Sequence, residues 1–161
     1  MPYFVMTCNG VYPSAAIDKS PEMDDAPWMS GIKLEGPTRQ FAEPLVYTLD
    51  ATRPGNIPAM IDDAAYPLMH NDLLEALQSV GVDNLQLFSA IIKDPTTGTD
   101  HSNYKAFNIL GVVSKADMLK TAPYHLFRSA ESVSTIVVDE VAKNEIERRG
   151  IPGMNFYDYE F

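Results

Sequence analysis

The chain has 161 residues, 45% hydrophobic and 21% charged, with twelve basic groups against twenty-two acidic ones and a formal net charge of −10. That length and balance fit one domain, residues 1–161, whose core needs neither metal nor disulfide. The charge argues against nucleic acid, whose phosphates need a basic surface.

No run is long and apolar enough to span a bilayer, so no membrane partner is expected. The first residues, MPYFVMTCNG, lack the basic and apolar regions of a secretory signal. Cys8 is the sole cysteine and can form no internal disulfide, so a reducing, cytoplasmic setting fits best. Residues 1–70 carry four basic and nine acidic groups, and residues 71–161 carry eight and thirteen. Each part therefore nets −5. Such spread acidity steers a basic protein partner, and it equally serves plain solubility.

In chain order, residues 1–59 form a Pro-rich strand and loop part. Eight of the twelve prolines fall within residues 1–60, which disfavours long helices there. Tyr3–Cys8 and Pro44–Asp50 are the strand candidates. Between them runs a polar, turn-rich arm around Trp28. Residues 60–161 read as the α+β part. Leu73, Leu74, Leu77 and Val80 recur at helical spacing, which predicts a helix over Asp72–Val80. Asn71 is its expected N-cap and Gly81 its C′ residue.

Leu85–Ile92 and Tyr104–Val113 read as the arms of a long antiparallel hairpin near the middle of a sheet, joined by the turn-rich KDPTTGTDHSN. The return arm, YKAFNILGVV, sets Asn108 on a face it shares with Tyr104, Ala106, Leu110 and Val112. An amide there is expected to bond a neighbouring loop or bulge, since buried polar groups are hydrogen-bonded. SKADMLKTA reads as a short helix and Thr135–Val138 as a short strand. Asp139 is the expected cap of a helix over Glu140–Arg149, with a Glu145–Arg149 pair and a stop at Gly150. Met154–Tyr157 reads as a final strand. The fold expected is α+β: a mainly antiparallel sheet packed against two principal helices.

Candidate chemistry is sparse. His70, His101 and His125 have no partner at zinc-site spacing, so no metal or other cofactor is expected. No nucleophile elbow or phosphate loop occurs. Paired carboxylates stand at Asp24-Asp25, Asp62-Asp63 and Asp139-Glu140, and adjacent loop carboxylates are usually solvated. In the terminal NFYDYEF, Phe156 reads as core. Tyr157, Tyr159 and Phe161 fit either core or an exposed partner patch. Trp28 likewise either anchors a partner or covers the core.

The series PLMHNDLLEALQSVGVDNLQLFSAII, YKAFNILGVV, HLFR and TIVVDEVAKNEIERRGIPGMNFY, over about residues 60–157, resembles immunity protein family 11 of bacterial polymorphic-toxin systems. Residues 1–59 match more loosely, chiefly through PWMSGIKLEG. The resemblance implies an α+β fold and a bacterial cytosolic protein that neutralises a toxin by direct binding. It brings no catalytic motif. The first expectation is thus a non-catalytic immunity protein with a basic toxin as partner, and Trp28, Asp24, Asp25, Asp62, Asp63 and Tyr159 as partner-binding candidates. The alternatives are a hydrolase-like enzyme built on Asp62-Asp63 with His70, and a structural or regulatory domain without a toxin partner.

Overall fold

The computed structural model describes residues 2–21, 28, 30–34, 43–62, 66–118 and 124–160. Among these the fold is α+β, with most strands paired antiparallel. The expected single sheet is in fact two. The first has the order β12 (Met154–Asp158), β1 (Tyr3–Cys8), β11 (Ile136–Asp139), β10 (Leu126–Ser129), β9 (Val112–Val113). The second has the order β2 (Ile17–Lys19), β3 (Leu45–Leu49), β6 (Leu85–Lys93), β8 (Tyr104–Ile109), β5 (Leu68–His70), β4 (Met60–Ile61), with β7 (Asp100–His101) paired to β6. Only β3–β6 and β9–β10 run parallel among these pairs.

The expected hairpin is β6–β8, at the centre of the second sheet. Its return arm is broken, however. After Ile109 the chain leaves the second sheet, and Val112–Val113 joins the first beside β10. Two groups fix this crossing. Asn84 accepts from Leu110 N–H at 2.8 Å, and its side-chain Nδ2 donates to Leu110 O and Leu126 O at 3.1 and 2.8 Å, so one amide touches both sheets. Gly111 has φ +148°, a region that side chains rarely adopt, and an added Cβ would lie 2.8 Å from the Tyr124 ring. An apolar run with period-two alternation carries no mark of such a switch except its glycine.

The main core lies between the sheets and beneath two helices. Met6, Leu126, Ile136 and Val138 come from the first sheet, Met60, Met69, Phe107 and Ile109 from the second. Helix α1 (Asn71–Ser79) adds Leu73 and Leu77, and α3 (Glu140–Arg148) adds Ala142 and Ile146. The outer face of the second sheet is covered by Trp28 and Leu34 from the arm, and that of the first by Met118 of the short α2 (Lys115–Met118), Tyr124 and Tyr159.

The helix ends follow local chemistry. The N-cap of α1 is His70, not Asn71: its backbone is extended as the last residue of β5, and its Nδ1 accepts from Asp72 N–H at 3.0 Å. Asp139 caps α3 through Ala142 N–H at 2.9 Å, as the sequence predicts. Gly81 and Gly150 have φ of +97° and +65° past the two helix ends. Glu145 takes Arg149 Nε at 2.8 Å and Arg148 Nη2 at 2.6 Å, and Arg149 reaches Glu75 of α1 at 3.5 Å.

Two outcomes are expected. Gly111→Ala strains the backbone and meets Tyr124, lowering stability by about 1–3 kcal/mol in urea unfolding. The Arg148 and Arg149 hydrogen bonds hold the Glu145 carboxyl down at about 2, from 4.5. A carboxyl whose folded pKa is depressed contributes stability above its unfolded value, and loses it as pH falls toward the folded one. Between pH 4.5 and about 2 the native chain therefore loses this contribution. Urea titrations across that window should show a shallower loss in Glu145→Gln.

Candidate functional site

Asn108 is fully buried. Its Nδ2 donates to Ile32 O at 2.9 Å and to Gln86 Oε1 at 3.2 Å. Gln86, its cross-strand partner on β6, grips the next residues of the arm: it accepts from Leu34 N–H at 2.8 Å and donates to Leu34 O at 2.7 Å. Two side-chain amides on the hairpin thus stand in for a strand and pair with the backbone of residues 32–34. Such segments have no ladder of their own, and their buried carbonyls require partners. Asn108 Oδ1 has no partner among the described residues.

Trp28 completes the dock. Phe107 and Pro67 face one another in the β8–β5 register, which runs Ala106↔Leu68 one step before. Phe107 N–H donates to Pro67 O at 3.0 Å. The reciprocal bond is impossible, because proline has no N–H. The indole Nε1 of Trp28 fills the gap and donates to Phe107 O at 3.0 Å. Its ring lies against Tyr66 and Phe88, with centroids 5.3 and 5.2 Å away. At 8% exposure Trp28 is part of the core in this structure, so it offers a partner little surface.

Of the other candidates, Asp24, Asp25 and Asp63 lie outside the described residues. Asp62 is half-buried, and its charge acts on Arg128. Arg128 is 2% exposed and donates from Nη1 to Val133 O at 2.9 Å. Burial lowers its pKa, and the Asp62 carboxylate opposes that shift. Tyr159 is half-buried, with its hydroxyl 2.7 Å from Ser129 Oγ and Lys115 Nζ 5.3 Å from the ring centroid. Phe156 packs on the core, while Tyr157 is exposed. Phe161 is outside the described residues. Cys8 is a free thiol, half-buried.

Sequence spacing gives no hint of the closest approach to catalytic geometry, His125 with Asp139. The two are fourteen residues apart in the chain, and Asp139 Oδ2 lies 2.5 Å from His125 Nδ1. A carboxylate so placed orients an imidazole and leaves Nε2 outward, the arrangement of a general base. Here the same carboxylate caps α3 through Oδ1, and His125 Nε2 has no hydrogen bond among the described residues. Nor do any three His, Cys, Asp or Glu side chains among the described residues converge to hold a metal ion.

Among the described residues, two clefts of more than 400 Å³ open on the surface. One, of about 490 Å³, is lined by Cys8, Asn9, Asp18, Arg53 and Asp62 among others. The other, of about 420 Å³, is lined by His70, Asp72, Asp94, His101 and Asn103 from the hairpin's turn end and the start of α1, and by Ile57, Ala59, Ile151 and Pro152 from two loops. Asp62 and His70 thus line different clefts, and Asp63, the third member of that expected constellation, lies outside the described residues. In the second cleft His70 keeps its cap role. Nδ1 accepts from Asp72 N–H at 3.0 Å, and Asn103 Nδ2 lies 3.0 Å from the ring's Nε2.

Comparison with protein-family models and with curated proteins found no match.

Asn108→Asp places acceptors, or a buried charge, against Ile32 O and Gln86 Oε1. It is expected to cost at least about 3 kcal/mol at pH 7, read from the urea midpoint. A surface residue with a purely chemical role would leave that midpoint unchanged.

Proposed function

We propose that this chain is a non-catalytic binding protein: an immunity protein that neutralises a basic bacterial toxin by occluding it, in the cytoplasm. The observation that carries this reading is the division of labour among its polar groups. Asn108, Gln86, Trp28, Arg128 and Asp139, which look chemical in the sequence or the fold, each hold backbone or cap a helix. The acidic excess lies elsewhere. Asp18, Asp83, Asp100, Asp117, Glu131 and Glu140 are all exposed. A surface of that sign accelerates encounter with a basic protein and repels acidic competitors. The ordered resemblance over about residues 60–157 supports the same reading.

The reading is tested by capture. The tagged chain is exposed to a lysate of its source bacterium, and the retained protein is identified and then titrated as a pure component. The expected partner is basic and stoichiometric, with an association rate that falls about tenfold or more between ~0.05 and ~0.5 M salt. A partner whose association is indifferent to salt contradicts the electrostatic part. A chain that retains only itself from a lysate shown to contain the neighbouring toxin contradicts the whole.

A further inference from the structure

The second cleft does not stand alone. A smaller hollow of about 240 Å³ adjoins it and shares Asn56, Ile57, Ala59 and Pro152 as walls, so the two form one groove. Beside the hollow, Val11 and Tyr12 stand out from the surface, Tyr12 at 95% exposure. The loop that displays them is braced. Asn56 Nδ2 donates to Val11 O and Pro13 O, both at 3.2 Å, Asn56 N–H donates to Pro13 O, and Ala15 N–H donates to Asn56 O, both at 2.8 Å. A tyrosine held out on a hydrogen-bonded platform loses little freedom on binding, which suits a contact anchor.

The groove's chemistry selects what lies in it. Its apolar walls are Ile57, Ala59, Ile151 and Pro152. Its charged groups are Asp72 and Asp94, and no lysine or arginine is among the described residues that line it. Asp72 is largely exposed. Asp94 uses Oδ1 to accept from Thr96 N–H at 2.9 Å. Tyr104 ties the far wall in place by donating its hydroxyl toward Ile57 O and Pro58 O, and burial raises its pKa so that it stays neutral. A groove that sets these apolar walls beside two carboxylates, with the polar side chains of Asn56, His70, His101 and Asn103 around them, matches a side chain with an aliphatic stem and a cationic head.

We infer that the groove between the 53–58 loop and the turn end of the central hairpin is a docking site for a protein segment carrying lysine or arginine, with Tyr12 as the anchor outside it. This deepens the binding reading above, rests on it, and gives the partner's basic charge a defined place to go. The occupant is a polypeptide and not a small amine, because Tyr12 projects beyond the groove, where only a larger surface reaches it.

The test is an amide NMR titration of the full chain with the acetylated, amidated pentapeptide Gly-Leu-Arg-Lys-Gly, with its Arg and Lys replaced by Glu, and with spermidine. The basic peptide is expected to shift residues 11–12, 55–59, 70–72, 94–103 and 151–152 as one set. The acidic peptide should shift none of these. Asp72→Asn and Asp94→Asn each weaken binding about fivefold. Asp94→Asn keeps an acceptor for the Thr96 amide, and Tyr12→Ser removes the anchor from an exposed position. Shifts scattered over the acidic surface, unchanged affinity in both Asn variants, or spermidine binding as tightly as the peptide with no effect of Tyr12→Ser would each overturn the inference. None of these outcomes bears on whether a toxin is captured, so the groove and the immunity reading fail separately.

Discussion

A central strand of the second sheet needs a donor that its neighbour cannot supply. Pro67 faces Phe107 and has no N–H, so the Phe107 carbonyl would be buried and unpaired, at a cost of about 1–3 kcal/mol. Trp28 meets that demand from outside the sheet with its indole N–H. Once the indole is there, the following residues lie along the hairpin face, and their own carbonyls need partners in turn. Asn108 and Gln86 supply them. One missing proline hydrogen thus accounts for a buried tryptophan, an amide in the middle of a strand and the course of the arm.

The same logic recurs where the chain passes between sheets. Asn84 bonds carbonyls on both sides of the crossing, and Gly111 permits the turn. Arg128, under one sheet, feels the charge of Asp62 from the segment that follows β4 on the other. The Asn84 and Arg128 contacts join a side chain to backbone or a charge to a charge, the class on which uniqueness of packing rests when two sheets share a core. Among the described residues the buried polar side chains, Asn84, Asn108, Arg128, Ser129 and Asp139, each make a hydrogen bond within the fold.

Much of this was legible in the residues. The helical spacing of Leu73, Leu74 and Leu77, the Asp139 cap, the Glu145–Arg149 pair and the first arm of the hairpin follow from local rules, and the structure places them within a residue or two, whereas the return arm stops at Ile109 instead of Val113. The structural role of Asn108 was legible too, since no acid, base or nucleophile flanks it. The breaks were not. Tyr104–Val113 alternates smoothly across the sheet crossing, because a strand that changes sheets keeps its period. Asn71 is the better cap by residue type, but the strand geometry of β5 gives that place to His70. The short strands β4, β5, β7 and β10 are too brief to carry a pattern, and their pairing is set by tertiary contacts. The Pro67–Trp28 exchange spans thirty-nine residues and is visible only in the register. The groove is no more legible, for its walls come from five separated stretches and its charges, Asp72 and Asp94, read as an ordinary helix start and turn.

The account rests on the arm being docked by side-chain hydrogen bonds, and the chain carries a single tryptophan, so one indole resonance reports on it. The measurement is the hydrogen-exchange rate of the Trp28 indole N–H, compared with the backbone amides of β8. The account predicts protection of the same order as the Phe107 amide, because both leave only when the sheet opens. Exchange at the rate of a free indole would mean that the Phe107 carbonyl has no such partner, and that Trp28 is available to a partner after all.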